Sequence, residues 1–338
     1  MAATMTDVAR LANVSLSTVS YVLTGSRPIS AKTRERVLAA VAELGYAPHA
    51  MARGLASRRS TLLGLMLPLG EHGVGATVSA FVNGAASAAS AAGFQLTLHP
   101  IAADDADALR TLAGQRLLAG AVLMAVRLDD PRVDVLRELG VPFSLIGRTA
   151  DCADLPYVDI DFSTTLAGAV DHLVGLGHRR IAYVNHSAAQ LAAGDGPTVR
   201  TADAYGAAMR AHGLEPLMVT VEDGAPYGRA AVEEAYARDP GVTAFASMNE
   251  SATFGVLAGL ADRGLRVPDD VSVVSVVMAP AVAELANPAL TAMESPGAAL
   301  GRLGVEALLG RLDARGEAVQ QLLPCTLRVR GTSGPAKG

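Results

Sequence analysis

The chain has 338 residues, half of them apolar, a net charge of −5, two cysteines and no tryptophan. That length exceeds a usual single domain and suits a small domain followed by a bilobed one. Its apolar runs fall short of the roughly 18 consecutive residues a membrane helix needs, which excludes a spanning helix. Cys152 and Cys325 are too few and too far apart for a disulfide framework or a zinc-ligand pattern, so reduced thiols, no metal and no cofactor are expected.

The opening residues MAATMTDVARLANVS carry an acid and lack the basic start and apolar middle of a signal peptide, so a cytoplasmic protein is expected. Charge is unevenly divided. Residues 1–60 hold Arg10, Arg27, Lys32, Arg34, Arg36, Arg53, Arg58 and Arg59 against Asp7, Glu35 and Glu43, a balance of +5 that leaves −10 for the remainder. A small basic module on a large acidic one points to phosphate contact at one end.

Thr6 to Ala12 reads as a short helix with Val8, Leu11 and Ala12 inward, broken at Asn13-Val14. Ser15 can cap a second helix through about Leu23, its hydroxyl accepting from first-turn N–H groups. Val19, Val22 and Leu23 then point inward, leaving Leu16, Ser17, Ser20, Tyr21 and Thr24 on the other face, where a recognition helix shows side chains to bases. A third helix starts after Ser30, buries Val37, Val41 and Leu44, and stops at Gly45. The three form a helix-turn-helix unit.

From Thr61 onward, strand-like runs alternate with alanine-rich helices: TLLGLMLPL, FQLTLHPI, GAVLMAV, FSLIG, YVDID, RIAYVNH, PLMVTVE, AFASMN, VSVVSVV and CTLRVR. This alternation predicts α/β architecture with parallel sheets, and so many strands predict two lobes. Ligands of such sheets bind beyond the carboxyl ends of the strands, here between the lobes.

The segment DVARLANVSLSTVSYVL, then KTRERVLAAVAELGYAP, then ARGLA closely resembles the headpiece and hinge of the LacI/GalR repressor family. The resemblance continues through VDIDFSTTLAGAVDHLVGLGHRRIAYV, the MNE-to-VSVVS stretch and NPALTAMESP, similar to a core of periplasmic-binding-protein type. It implies a helix-turn-helix domain over 1–48, a hinge helix and linker over 49–60, and an effector-binding and dimerisation core over 61–338. Within that core, lobe 1 takes about 61–161 and 293–323, and lobe 2 about 162–290 and 324–338. Crossings are expected near Phe162, Asn287–Met293 and Pro324.

The resemblance assigns Leu16, Ser17 and Tyr21 to base reading, and Thr18 and Ser20 mainly to phosphates. Thr24 and Arg34 also belong to the DNA-binding set. Many family members have Arg where this chain has Tyr21, which removes a bidentate guanine reader. In the hinge, Leu55 matches the apolar wedge that opens the central base step, with Ala52 one turn before it and Arg53 near the phosphates. Gly54 costs a helix roughly 1 kcal/mol relative to Ala, so the hinge is expected to order only on DNA.

Pocket residues implied by the resemblance are Asn249, Glu250, Arg200, Val277, Met278, Ser295 and Asp161, although Asp161 also fits an ordinary βα unit. Several depart from the family pattern. The usual Asn-Asp reads Asn249-Glu250, and the usual Gly-[Phe/Tyr]-Asp-Asp reads Ser275-Val276-Val277-Met278. Arg200 stands one place from the family's pocket arginine, whose slot holds Thr201, and Gly73-Val74-Gly75 replaces an aromatic pair. Fewer convergent polar groups mean weaker binding of common hexoses and pentoses and favour a ligand with a substantial apolar part. A carbohydrate, another small molecule and no effector at all remain open.

No catalytic site is expected. Gly73-x-Gly75 lacks the third glycine of a dinucleotide fingerprint, and no GxxxxGK[ST], GxSxG or HExxH occurs. His172 and His178, in HLVGLGH, read as structural at a helix end and turn. Partners expected are operator DNA, a second copy of the chain and a small molecule, with no membrane. A homodimer follows from the twofold reading of a near-palindrome and from the absence of a terminal heptad repeat. A solute-binding protein without a regulatory role is the alternative class, opposed by the headpiece.

Overall fold

The computed structural model describes residues 3–24, 27–46, 60–68, 74–313 and 318–337. Ala52, Arg53 and Leu55 lie outside these residues, as do Arg58, Arg59, Gly73 and the side chain of Thr24. Two compact units are distinguished, one holding the chain up to Leu62 with Leu117–Ala119, the other holding the rest.

In the first unit, Thr4 and Asp7 form a capping box that starts α1 (Met5–Leu11). Each supplies an acceptor to the other's backbone N–H, satisfying donors that the helix end leaves open. Ser15 Oγ accepts from Thr18 N–H at 3.2 Å and opens α2 (Leu16–Thr24). Ser30 caps α3 (Ala31–Leu44), which Gly45 ends at φ 57°, a left-handed turn suited to glycine. The core is Val8, Ala9, Ala12, Val19, Val22, Val37, Ala40 and Tyr46. Leu11, expected inside, is 44% exposed, and small Ala9 and Ala12 take the inner face instead.

The second unit holds two sheets. β1 (Leu62–Met66), α4 (Ala76–Ala91), β2 (Gln95–His99), α5 (Ala106–Gly114), β3 (Gly120–Leu123), α6 (Pro131–Glu138), β4 (Phe143–Ile146) and β5 (Tyr157–Ile160) build lobe 1. The chain then enters lobe 2 through α7 (Phe162–Gly175), β6 (Ile181–Asn185), α8 (Ala188–Ala192), α9 (Gly196–Ala211) and β7 (Leu217–Thr220). It continues with α10 (Ala225–Arg238), β8 (Ala244–Ser247), α11 (Glu250–Asp262), β9 (Ser272–Met278), α12 (Pro280–Ala283) and β10 (Thr291–Glu294). α13 (Gly297–Leu312) and β11 (Gln320–Leu323) return to lobe 1, and β12 (Thr326–Arg328) closes lobe 2.

Strand order is β11-β5-β4-β3-β1-β2 in one sheet and β12-β10-β9-β8-β6-β7 in the other. Neighbours from β1 through β3, β4 and β5 to β11 pair in parallel, as do those from β7 through β6, β8 and β9 to β10, while β12 is antiparallel to β10. Buried strands of this kind read as near-continuous apolar runs, and most carry one. β10 and β11 do not. β10 is four residues long and lies where a crossing between lobes is expected; it pairs with β9, so the chain leaves lobe 2 only after Glu294. β11 opens with exposed Gln320 and Gln321, a polar edge strand without an apolar signature.

Each lobe contains a helix pair in backbone contact. A Cβ on Gly84 of α4 would fall 2.1 Å from Ala298 O, and one on Gly301 of α13 would fall 2.0 Å from Phe81 O. Gly228 of α10 and Gly255 of α11 have the same close approach in lobe 2. Beside the second pair lies an apolar core that includes Val184, Phe245, Val256, Val273 and Met278.

Candidate DNA-reading helix and inter-lobe cleft

α2 buries Val19 and Val22 against α1 and α3 and leaves Leu16 49% exposed, with Ser17 exposed beside it. Thr18, Ser20 and Tyr21 are half-buried, and Thr18 Oγ1 lies 2.8 Å from Ser15 Oγ at the helix start. Arg27 covers the Tyr21 ring, its guanidinium carbon 5.2 Å from the ring centroid. Arg34 projects from the first turn of α3 into solvent. These side chains form one polar face on an apolar footing, the arrangement by which a short helix reads base edges in the major groove.

In the second unit the two lobes meet through side chains and loops. Thr77, in the first turn of α4, donates its hydroxyl to Glu250 Oε2, and its backbone N–H donates to the same oxygen at 3.3 Å. Gly75, the N-cap of α4, has no side chain to cap the helix, so the lobe 2 carboxylate does that work across the cleft. Ala279 N–H donates to Thr77 Oγ1 at 2.9 Å, completing the contact. Elsewhere along the cleft, Leu128 N–H donates to Gly194 O at 2.8 Å and Gly196 N–H to Val126 O at 3.1 Å.

The lobe 1 loop in those last contacts is shaped by a buried ion pair. Arg132 and Asp130 have no side-chain exposure and meet at 2.7 Å. Arg132 also donates to Ile101 O, Met124 O and Ala125 O, where Ala125 takes a left-handed φ of 48°. Five such donors in a rigid fork can hold an irregular backbone in one conformation.

Two family models match the chain: Bacterial regulatory proteins, lacI family, over residues 4–49, and Periplasmic binding protein-like domain over residues 170–333. The HTH-type transcriptional regulator CelR of Thermobifida fusca is 33% identical over 338 residues, covering 97% of each chain. This chain belongs to the LacI family of bacterial transcriptional regulators. The solved complex of CelR with cellobiose aligns with it at TM-score 0.73 and 31% identity, covering 98% of this chain and 99% of that one. The lac repressor dimer bound to operator and the anti-inducer ONPF aligns at TM-score 0.85 and 25% identity, covering 99% and 100%. The HTH-type transcriptional regulator AglR of Rhizobium meliloti is 28% identical over 99% of this chain and 96% of its own. The LacI-family regulator is therefore a sequence-specific DNA-binding protein with a periplasmic-binding-protein-like core, and the relatives it matches are regulators rather than enzymes.

Within this regulator the residues expected to line a pocket divide sharply. Asn249 is 1% exposed; its Oδ1 accepts from Ala252 N–H at 2.9 Å as the cap of α11, and its Nδ2 donates to Asp223 at 2.6 Å. Asp161 likewise uses both oxygens on Thr164, at 3.0 Å to N–H and 2.7 Å to the hydroxyl, capping α7. Glu250 is engaged by Thr77. Met278, expected to line the pocket, packs instead into the lobe 2 core, and its carbonyl accepts from Ser295 N–H at 3.0 Å. Val277 sits at φ 58°, a left-handed conformation rare for a β-branched residue, at the register shift where β9 meets β10.

Arg200 does reach the cleft. From α9 in lobe 2, its Nη2 donates to Arg148 O at 2.8 Å and Thr149 O at 3.2 Å in lobe 1, while Nη1 is buried without a hydrogen-bond partner. Thr201, in the usual arginine slot, is fully buried and turned back onto Pro197 O at 2.8 Å. Ser295 Oγ is also buried without a hydrogen-bond partner, as is Ser275 Oγ on β9, while His186 Nδ1, just beyond β6, makes no hydrogen bond but lies 3.5 Å from Asp223 Oδ1. Asp159 and Arg148 belong to the same group and went unnoticed in the sequence: Asp159 Oδ2 and Arg148 Nε are 3.4 Å apart, an ion-pair distance without hydrogen-bond geometry. Burial pushes the Asp159 carboxyl up to about 6 despite Arg200 and Arg148, and burial also lowers Arg200.

His178 is structural, with Nδ1 2.9 Å from Thr243 Oγ1 and Nε2 2.9 Å from Ser272 Oγ, and His172 Nε2 lies 2.9 Å from Ser333 Oγ. Among the described residues, no group of three or more His, Cys, Asp or Glu side chains could hold a metal, and no helix is long and apolar enough to cross a membrane.

Proposed function

We propose that this LacI-family protein is a cytoplasmic repressor that binds a near-palindromic operator as a homodimer, its affinity set by a small molecule held between the lobes of its core. The observation that carries the DNA-binding part is the exposed polar face of α2 over its buried Val19 and Val22 footing. On this reading Leu16, Ser17 and Tyr21 meet base edges, Thr18, Ser20, Thr24 and Arg34 serve mainly phosphates, and Ala52, Arg53 and Leu55 form the minor-groove hinge. Residues 1–48, 49–60 and 61–338 then act as reader, hinge and sensor.

The effector reading rests on buried polar atoms without hydrogen-bond partners near the carboxyl ends of strands, Asp159 Oδ2 on β5, Arg148 Nε after β4 and Ser295 Oγ after β10, and on Arg200, which spans the lobes. It also has support from CelR, solved with cellobiose. A ligand that prefers one arrangement of the lobes changes operator affinity by that difference in binding free energy. Genome-wide mapping of bound sites with and without candidate metabolites tests both parts. Bound sites sharing a twofold motif, lost or gained with one metabolite, are expected; no shared motif would overturn the reading.

A second reading, a repressor without an effector, is favoured by one feature. The lobes are joined by the chain's own groups, Glu250 with Thr77 and Arg200 with Arg148. A bound-site map indifferent to every metabolite would support it.

A further inference from the structure

β9 ends on Val277 and Met278 without an acid, and Glu250 and Asp161 are engaged by Thr77 and Thr164. Asp159 is only partly satisfied: Arg148 Nε lies 3.4 Å from its Oδ2 as an ion-pair partner, but that oxygen accepts no hydrogen bond. The residue stands on β5 in lobe 1, 5% exposed, with Oδ1 accepting from Ile160 N–H at 2.8 Å. Around it stand two guanidinium groups that also keep buried donors unused, Arg148 Nε from lobe 1 and Arg200 Nη1 from lobe 2. A buried carboxylate oxygen and two buried donors that make no hydrogen bond are costly unless something completes them.

We infer that Asp159, flanked by Arg148 and Arg200, is the specificity-determining acid of the effector site, and that it reads adjacent hydroxyl groups of a neutral ligand. This rests on the reading that the inter-lobe cleft holds the effector. The chemistry follows from what each group can exchange. A hydroxyl accepts from a guanidinium and donates to a carboxylate, so a pair of neighbouring hydroxyls matches two donors and one acceptor. A carboxylate or phosphate ligand would find the guanidinium groups but would meet Asp159 as a like charge. A purely apolar ligand would leave all three groups without partners.

The placement also sets the direction of coupling. Asp159 and Arg148 belong to lobe 1, Arg200 to lobe 2, and Arg200 reaches the site through hydrogen bonds to the Arg148 and Thr149 carbonyls. The three groups converge only when the lobes are together, so a ligand read by all of them binds the closed arrangement in preference. Gly196 is part of this construction: a Cβ there would fall 2.6 Å from Arg200 Nη1 and 2.5 Å from Val126 O.

The test uses the full-length protein and a panel of aldoses, disaccharides and inositols, their monodeoxy analogues, and the matching sugar acids, read by thermal shift and then calorimetry. We expect at least one neutral polyol to bind the wild-type protein. Asp159→Asn should weaken it on the order of tenfold or more, and should erase the preference for that polyol over its monodeoxy analogue at the contacted position. A merely structural role would not move that preference. Arg148→Met is the second variant, expected to weaken the same ligand, and ligand-free melting of both variants checks folding. Unchanged polyol affinity in both variants, or binding confined to sugar acids or to ligands without adjacent hydroxyls, overturns the inference while leaving the cleft reading in place. Polyol affinity indifferent to Asp159, Arg200 and Ser295 substitutions alike overturns both, and so does a panel in which nothing binds.

Discussion

Arg27 lies over the ring of Tyr21, placing a cation on the aromatic face of a half-buried side chain of α2. Such a contact is worth roughly 0.5–1 kcal/mol at an exposed site and holds the ring in one orientation. Selection from randomised half-sites should therefore show Tyr21→Ala changing the preferred bases. Arg27→Ala should blur the same positions with a smaller, several-fold loss of affinity. An unchanged motif for Tyr21→Ala would remove that residue from the readers.

Arg34, exposed on the first turn of α3, serves as the contrast. Arg34→Ala should weaken all sites alike and reduce the slope of log affinity against log salt by about one, the signature of a single lost phosphate contact. If residues 49–60 act as the proposed minor-groove hinge, Leu55→Ala should weaken operator binding far more than Arg59→Ala, because the wedge and the kink go together. Titrations at matched salt check both, and equal losses at Leu55 and Arg59 would contradict the wedge.

The fold of the first unit was legible in the sequence and that of the second only in outline, for physical reasons. Val8, Val19, Val22 and Val37 recur with helical spacing, and Ser15, Ser30 and Gly45 are local start and stop signals, so little beyond Leu11 was misplaced. Parallel strands such as β6 and β9 announce themselves as continuous apolar runs. Edge strands need no such run, which hid β11. Asp159 was hidden differently: in YVDID it looks like one residue of a half-polar strand, and only the fold shows it buried beside two arginines. Conversely, Asn249 and Asp161 carry polar side chains that helix capping consumes, a local demand that competes with any pocket role.

Glu250 caps α4 from the opposite lobe, so its loss should loosen closure without unfolding either lobe. Glu250→Gln keeps an acceptor but removes the charge that the helix N-terminus favours, about 0.3–1 kcal/mol, while Glu250→Ala removes both. Small-angle scattering should show a larger radius of gyration for Glu250→Ala than for wild type, with Glu250→Gln between. Identical curves for all three would mean that other contacts hold the lobes.

The Arg132–Asp130 pair should behave in the opposite way, as a stability determinant. Both side chains are fully buried, and removing one strands a charge; costs of about 3–5 kcal/mol are typical. Urea unfolding of Arg132→Met should show a loss of that order, larger than the loss for the exposed pair Arg302–Glu306, which is worth no more than a few tenths of a kcal/mol.

Asp159 gives the last prediction, and its sign can be worked out. Burial raises its carboxyl from 3.8 to about 6, with Asp161 adding to the rise and Arg200 and Arg148 opposing it. Between those values the folded protein binds a proton that the unfolded chain has already released, so stability falls as pH rises. The contribution is complete below about pH 4 and is lost above about 6, an amount on the order of 3 kcal/mol. Asp159→Asn carries no titrating group and should be more stable than wild type at pH 7.5 in the absence of ligand. The difference should shrink toward zero on acidification to pH 4. Unfolding of the two proteins across that range checks it, and a wild-type protein that outlasts the variant at pH 7.5 would mean that the arginines compensate the buried charge in full. The predicted order is the one expected of a residue kept for binding: a carboxylate that lowers the stability of the ligand-free protein can be retained where a ligand supplies the hydrogen bonds it lacks.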